Sequence, residues 1–579
     1  MRRGLVYFAP TLGAAAIASL FLGDFRAGQL SLFLSLAVLA VSLGLVWGYA
    51  GILSLGQLLP FGLAAYLTAR ITTAHPSLSV AALVASAAAG AAISAIVAVV
   101  AFRRRLALVV VGLLTLMLSL TFEQIAQQWR DVTGGFNGLT NVPRLGAFGS
   151  TLSETWQNFT ITVAAVVIIG GVALLLSRPI GAVLVGIRDN ERRTEALGYN
   201  TIAIKIWVFS VGGAVAGVAG ALYVHRTGFV SPGIFGFTLA TNVVLWTLIG
   251  GRSLVVGPVV GTLLINFASA ALADVWLQYW VLATGVIFVA AVLFVPDGLV
   301  PSVVRVAGRA SRRRRLPQIR ERGEIPGEQA GDAVMEADAI DKSFGSFNAL
   351  KDVSLQIDAA ELRCLIGPNG AGKSTLLDIL SGQQQHQGGA VALFGQDYTG
   401  NPAWEFARRG VSRKFQAPQI IQSLSVAENI ALAAWAIHPS PWELTRSPWV
   451  ADVSTGALQV LNSTGLADRH ATPAGDLSHG EKQWLEIAMA LAGTCRVLLL
   501  DEPTAGMTAA ESIRAATLLR ELHTRFSLPI LIVEHDMAFI RAVADRVTVL
   551  ARGRLLADGT VAEIEANRDV RAVYLGVEG

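Results

Sequence analysis

The stretch from Gly367 to Thr375 reads Gly-Pro-Asn-Gly-Ala-Gly-Lys-Ser-Thr and fits the spacing G-x-x-x-x-G-K-[ST]. Glycines at 367, 370 and 372 allow a turn whose N–H groups face phosphate oxygens, and a helix starting behind them adds a field that favours anions. On that reading Gly367, Pro368, Asn369, Gly370, Ala371, Gly372, Lys373, Ser374 and Thr375 line the phosphates of a nucleotide. Lys373 reaches the β- and γ-phosphates and the Ser374 hydroxyl holds Mg²⁺. A chance glycine-rich turn is the alternative, and residues further along decide against it. Val497-Leu-Leu-Leu500 runs into Asp501-Glu502. An apolar strand ending in two acids puts Asp501 at its tip to bind Mg²⁺ and lets Glu502 face the water that attacks a γ-phosphate. Adjacent acids at a loop start are usually only solvated; behind a buried strand, in a chain with a phosphate loop, they imply nucleotide hydrolysis.

Such residues need a soluble α/β domain to position them. Leu365-Ile366 reads as a buried strand before the loop and Ser374 to Leu380 as the helix after it. This domain is expected to span 334–579. Before it, residues 301–333 are rich in Arg, Gly, Glu and Pro and have no apolar period, which predicts a tether. Eight arginines fall between Arg305 and Arg322. A nucleic-acid patch is one reading of such a run; beside a membrane segment, a cytoplasmic anchor at the lipid surface is favoured, so no nucleic-acid partner is expected. The net charge of +4 adds little, because the positive residues are so concentrated.

Residues 1–300 are different in kind. The whole chain is 53% hydrophobic and only 15% charged, and the apolar excess lies almost entirely here. Ten apolar spans are expected, near 5–22, 30–48, 59–74, 79–101, 106–122, 159–177, 206–224, 238–250, 255–273 and 279–295. The third and eighth are short, as broken or re-entrant helices would be. Clusters at Arg2-Arg3, Arg103 to Arg105, Arg178 to Lys205 and beyond Arg305 all fall on one side in this count, the cytoplasmic one. Gly212, Gly213, Gly217 and Gly220 among alanines predict close helix packing. Few charges lie deep in a span, so an ion relay is not suggested and a small neutral or zwitterionic passenger is. Cys364 and Cys495 sit in apolar runs and predict neither a disulfide framework nor a metal cluster.

Gly51-Ile-Leu-Ser54-Leu-Gly56-Gln57, Thr133-Gly-Gly-Phe-Asn137-Gly-Leu139, Arg188 to Gly198 and Gly228-Phe-Val-Ser-Pro232 together resemble the permeases of ABC importers for branched-chain amino acids and urea. The charged stretch Ser177 to Asn200 could be a solvated loop; the resemblance implies that Arg188 to Gly198 is the part that couples to an ATPase. The second half carries matching motifs, of which Arg413 to Gln416, Leu477 to Glu486 and Glu502 to Thr508 look most like the urea-transporter ATPases, with the branched-chain amino acid ATPases close behind. Leu477-Ser478-His479-Gly480-Glu481 resembles the ABC signature, in which Ser478 and Gly480 would serve the γ-phosphate held by another subunit. His479 stands where glycine is usual and Glu481 where glutamine is usual, and Glu481 is expected to face away from phosphate. Phe415-Gln416 resembles the Q-loop, whose glutamine touches Mg²⁺ and the lytic water. Val533-Glu534-His535-Asp536 resembles the switch region, giving His535 a γ-phosphate contact. Phe344 matches the aromatic that stacks on adenine; unaided, it would pass for core.

The sequence therefore predicts an all-α polytopic membrane domain of about ten helices, followed by an α/β P-loop ABC ATPase with a helical signature subdomain. ATP and Mg²⁺ are its expected ligands. The expected activity is ATP-driven import, across a bacterial inner membrane, of branched-chain or other hydrophobic amino acids, urea or short amides. An exporter, an ATP-gated channel and a membrane-tethered regulator are the alternatives. One chain holds one phosphate loop and one signature, so the resemblance implies a second copy, or a separate permease and ATPase, with an extracytoplasmic solute-binding protein.

Overall fold

The computed structural model describes residues 19–147, 150–276, 285–287, 289–290, 293–307, 316–323, 333–437 and 439–575. Two compact units result: Met1–Arg188 with Ile202–Arg315, and Asp189–Thr201 with Leu316–Gly579.

The first unit is helical. It comprises α1 (Asp24–Leu43), prolonged by a π-helix over Gly44–Tyr49, α2 (Leu58–Ala74), α3 (Ser79–Arg103), α4 (Leu108–Gln128), α5 (Glu154–Leu176), α6 (Pro179–Asp189), α8 (Thr201–Thr227), α9 (Phe237–Gly250) and α10 (Val256–Trp276), with α7 (Glu191–Ala196) belonging to the second unit. Among the described residues five stretches are long and apolar enough to cross a membrane: Asp24–Tyr49, Pro76–Arg103, Leu108–Gln128, Glu154–Leu176 and Thr201–Thr227. The two short spans of the sequence are short helices here, α2 with 17 residues and α9 with 14. The expected spans 5–22 and 279–295, and the arginines at 2, 3 and 312–315, lie largely or wholly outside the described residues. The first of the five long stretches is mostly buried, whereas α3, α4 and α5 leave Val84, Val109 and Val167 bare, the surface that lipid solvates.

Glycines set how closely these helices approach. A Cβ on Gly90 of α3 would run into the Gly213 carbonyl of α8, one on Gly217 into Ser86, and one on Gly220 into Phe61 of α2. Backbones in contact maximise dispersion where lipid leaves no hydrophobic drive. Thr68 and Ser86 complete the contact with a buried hydroxyl pair at 2.6 Å.

The second unit holds β1 (Gln318–Glu321), β2 (Ala333–Phe344), β3 (Phe347–Asp358), β4 (Leu362–Ile366), α11 (Lys373–Leu380), β5 (Gly388–Leu393), β6 (Gln396–Asp397), β7 (Val411–Lys414), α12 (Val426–Trp435), β8 (Val450–Val453), α13 (His479–Ala492), β9 (Val497–Asp501), β10 (Ile530–Val533), β11 (Arg546–Ala551) and β12 (Arg554–Gly559). An antiparallel sheet orders as β3-β2-β5-β6 and a mixed one as β12-β11-β4-β10-β9-β7. Strands β4, β9 and β10 are buried along their whole length and are mostly apolar, as strands covered on both faces are, with Arg363 in β4 and Asp501 at the end of β9 the charged exceptions. Register does the positioning: Leu365 pairs with Val533, Val533 with Asp501, and Leu500 with Lys414. The carboxyl ends of four parallel strands thus line up, and Gly367, Glu534, Glu502 and Gln416 emerge along one edge, where α/β sheets hold ligands. Within the stretch read as a tether, β1 is an added strand, pairing in parallel with β8.

Gly213→Leu, which must push α3 off α8, is expected to destabilise the detergent-purified chain by about 1–3 kcal/mol or more. Gly170→Leu in α5, where a Cβ meets nothing within 4 Å, serves as the control; equal thermal midpoints for the two variants would refute the packing account.

Candidate functional site

The loop Gly367 to Thr375 joins β4 to α11. Gly370 and Gly372 have φ of +79° and +102°, left-handed values that favour glycine. A Cβ on Gly372 would also lie 2.6 Å from the Ala349 carbonyl. Lys373 Nζ folds back across the loop and donates to the carbonyls of Gly367 (2.7 Å) and Pro368 (3.1 Å). Partial burial lowers its pKa, against the nearby charges of Glu502 and Asp501. Lysine, loop and the two acids of β9 therefore share one electrostatic environment.

At the tip of β9, Asp501 Oδ1 is buried with no hydrogen-bond partner, and Oδ2 lies 3.6 Å from Arg413. Burial raises the Asp501 pKa, with Arg413 opposing. Glu502 takes a left-handed φ of +45°, a conformation that a non-glycine residue holds only when its surroundings compel it. The surroundings here are Lys414, whose Nζ donates to the carbonyls of both Asp501 and Glu502 at 2.9 Å, and the Glu502 N–H bond to Val533 at 2.9 Å. Gln416 Nε2 donates to Glu502 Oε2 at 3.1 Å. Among the described residues no three His, Cys, Asp or Glu side chains gather to hold a metal. A cation would have the oxygens of Asp501, Ser374 and Gln416, the sparse protein donor set characteristic of Mg²⁺.

Ser478 opens α13 with a reciprocal cap: its hydroxyl accepts from the Glu481 N–H at 3.3 Å, and Glu481 accepts from the Ser478 N–H at 2.8 Å. Glu481 also pairs with Arg469, so it turns back on its own helix and away from the mouth of the signature. Gly480 is open, with nothing within 4 Å of a built Cβ. The His479 ring lies against Gly506, 3.4 Å from a Cβ built there, and Gln483 bonds the Ala505 carbonyl at 2.7 Å. His535 is largely exposed, with Nδ1 3.7 Å from the buried Glu534, which accepts from both the N–H and hydroxyl of Thr504. Phe344 is half exposed beneath Lys342, whose Nζ stands 5.0 Å from the ring centre. The fold thus gathers Lys373, Asp501, Glu502 and Gln416. Among the described residues no hydrogen bond joins Ser478 or Gly480 to the phosphate loop.

Asp189–Thr201 also belongs to this second unit. Asn190 caps α7 by accepting from the Arg193 N–H at 3.0 Å. Arg193, only 1% exposed, donates to the Arg413 carbonyl (2.7 Å) and the Glu486 carbonyl (3.2 Å), and lies 3.5 Å from the Glu486 carboxylate. That carboxylate accepts from the Phe415 N–H at 3.1 Å, one residue before Gln416. Arg192 pairs with Asp378 of α11 at 2.9 Å, and Tyr199 donates to the Leu432 carbonyl of α12 at 2.7 Å. A six-residue helix therefore touches the phosphate-loop helix, the Gln416 strand and the signature helix at once. Sequence reasoning gave no individual role to Arg193, Arg413, Lys414 or Glu486. Their only local signal was charge inside an apolar strand or on the buried face of a helix; α13 buries Gln483 and Glu486 together with Leu485, Ala488 and Leu491.

Burial pushes the Glu486 carboxyl from 4.5 up to about 7, with Arg193 pulling the other way. A folded pKa above the unfolded one contributes stability that is complete below about pH 4.5 and is lost as pH rises through about 7. The thermal midpoint should fall over that window in the native chain, and Glu486→Gln should flatten the fall; parallel curves would refute it. Arg193→Ala, which strands a buried carboxylate, is expected to cost about 3–5 kcal/mol in the same measurement.

Known families match both halves. Residues 26–295 match the branched-chain amino acid transport system permease component, 350–505 the ABC transporter family, and 554–579 the branched-chain amino acid ATP-binding cassette transporter family. Over 252 residues the chain is 31% identical to the high-affinity branched-chain amino acid transport ATP-binding protein BraF of Pseudomonas aeruginosa, covering 42% of this chain and 98% of that one. It is 34% identical over 239 residues to LivG of Salmonella typhimurium, a protein of the same description, covering 40% and 94%. An ATP-hydrolysing cassette and membrane-spanning helices thus share one polypeptide, and its single phosphate loop and single signature imply a partner subunit or a dimer. The chain belongs to the ABC transporter family, as a fused permease and ATP-binding subunit of its branched-chain amino acid group.

Proposed function

We propose that this chain is half of an importer that moves a branched-chain or other hydrophobic amino acid across a bacterial inner membrane, drawing on ATP hydrolysis. The observation that carries the reading is the double match on one polypeptide: a branched-chain permease over residues 26–295, and a cassette akin to branched-chain ATP-binding proteins. The names of those relatives favour amino acids over the urea toward which the cassette motifs leaned and the short amides they left open. A membrane half poor in deep charges suits a zwitterion of no net charge.

In this reading the unit from 1 to about 300 is the permease, and the unit ending at 579 is the motor. The N–H groups of Gly367 to Thr375 and Lys373 hold the β- and γ-phosphates of ATP, and Phe344 stacks on adenine. Ser374, Asp501 and Gln416 hold Mg²⁺. The donors suit it: Asp501 Oδ1 is buried and unpartnered, and Gln416 gives its NH₂ to Glu502, leaving its carbonyl oxygen for a cation. Bound there, Mg²⁺ would neutralise phosphate charge. Glu502, fixed by Lys414 and Gln416, orients the attacking water and takes its proton. His535 reaches the γ-phosphate from its exposed position. Ser478 uses a lone pair in its cap, which leaves the hydroxyl proton free to donate. With Gly480 it serves the phosphate loop of a second cassette, from another copy or a separate ATPase paired with a second permease. An extracytoplasmic solute-binding protein delivers the amino acid.

Glu502→Gln is expected to slow phosphate release by about 100-fold or more while sparing ATP binding, and to abolish uptake. Lys373→Ala should lose nucleotide affinity, read by fluorescent-nucleotide titration of the full chain. Accumulation of leucine against a gradient by the Glu502→Gln chain would exclude this site as the motor. Efflux without a binding protein would reverse the direction assigned here.

A further inference from the structure

Between the π-helix that ends at Tyr49 and the first turn of α2, the chain leaves helical form for residues 50–57, turning at Gly51 with φ +74°. This break is packed within the membrane half. A Cβ on Gly56 would run into Thr115 of α4, one on Gly112 would stand 3.1 Å from the Leu53 carbonyl, and one on Gly212 of α8 would stand 2.6 Å from Val46 and 3.6 Å from Gln57 Nε2. Gly212 lies about 16 Å along α8, roughly half of a ~30 Å hydrocarbon core. The Gln57 amide is therefore aimed at the glycine face of α8 near the membrane midplane.

Gln57 is 3% exposed, and neither its Oε1 nor its Nε2 has a hydrogen-bond partner. It occupies the N-cap position of the 17-residue α2 without capping it. Among the described residues, the N–H groups of 53 to 58 also have no acceptor. Unpaired N–H groups and an unpaired amide, deep in a low-dielectric layer at the positive end of a helix, are costly unless something binds there. A broken helix that turns its N-terminus to an anionic group of the solute meets this requirement.

We infer that the break at residues 50–57 is a solute site that reads the α-amino carboxylate. The N–H groups at the start of α2 and Gln57 Nε2 donate to the carboxylate, and Gln57 Oε1 accepts from the ammonium. Gly212, having no side chain, lets the α8 backbone pass close to the amide, a built Cβ standing 3.6 Å from Gln57 Nε2. This rests on the amino-acid reading above and deepens it, because a neutral amide such as urea brings no anion to the helix end.

The test uses the full chain, assembled with its partner subunits in ATP-loaded proteoliposomes, and the initial uptake rate of labelled L-leucine. Gln57→Leu should lower that rate at least tenfold and leave the thermal midpoint at or above the native one, since it removes an unpaired polar group. Gln57→Glu, which sets carboxylate against carboxylate, should be impaired at least as much. Native-rate uptake by Gln57→Leu overturns the site and leaves the importer reading standing. A midpoint that falls together with uptake shows that the amide serves the fold, and overturns it too. Native vesicles that accumulate no hydrophobic amino acid, whether or not they take up urea, overturn the reading beneath and the site with it.

Discussion

A guanidinium taken out of water must be surrounded by acceptors, and Arg193 is the residue on which that demand falls most heavily. Two carbonyls and a carboxylate drawn from β7 and α13 meet most of it. Each of those groups is bound to something else that matters. The carboxylate of Glu486 holds the Phe415 N–H, Phe415 precedes Gln416, and Gln416 holds Glu502. The two residues before Phe415 carry side chains that brace β9: Arg413 reaches Asp501 and Lys414 the two carbonyls behind it. Moving α7 would disturb this network through hydrogen bonds rather than through a loose surface. Two atoms of the pair, Arg193 Nε and Glu486 Oε2, have no partner. The clamp is thus incompletely satisfied, and each unpaired buried atom carries a desolvation cost.

What was legible in the sequence follows from how local each signal is. The phosphate loop and the Asp501-Glu502 pair are short motifs whose geometry needs only a strand before them, and both sit at strand ends as expected. The reciprocal cap at Ser478 was also local, since Ser478-His479-Gly480-Glu481 spells the S-x-x-E of a capping box, and it explains why Glu481 turns aside. Arg193 could not be read this way. Its partners lie 220 and 293 residues away, and an arginine in a charged stretch carries no mark of burial. The strand Gln318–Glu321 was hidden for another reason. With Gln, Arg and Glu in four residues it has no apolar alternation, and its pairing with Val450–Val453 comes from the edge that β8 offers.

The membrane half shows the same division. Apolar length and the arginine clusters were readable, because hydropathy and charge placement are properties of a segment. The close approach of α3 and α8 was foreshadowed by their glycines, although which glycine meets which carbonyl depends on the crossing. The helix break at 50–57 stood inside a recognised motif, yet only the fold reveals that the amide of Gln57 and the neighbouring N–H groups end without partners.

The second unit is assembled from two pieces of chain that are made at different times. At roughly 5–20 residues per second, a ribosome releases Arg193 about 15 to 60 s before Glu486 exists. Until Asp378, Arg413 and Glu486 have been made in turn, Asp189–Thr201 lacks the partners that hold it, while the apolar helices on both sides of it can already be entering the bilayer. The cassette can close fully over the loop only once Glu486 has been made. A loop inserted on the opposite side of the membrane from the cassette would leave Glu486 without Arg193 and the Leu432 carbonyl without Tyr199.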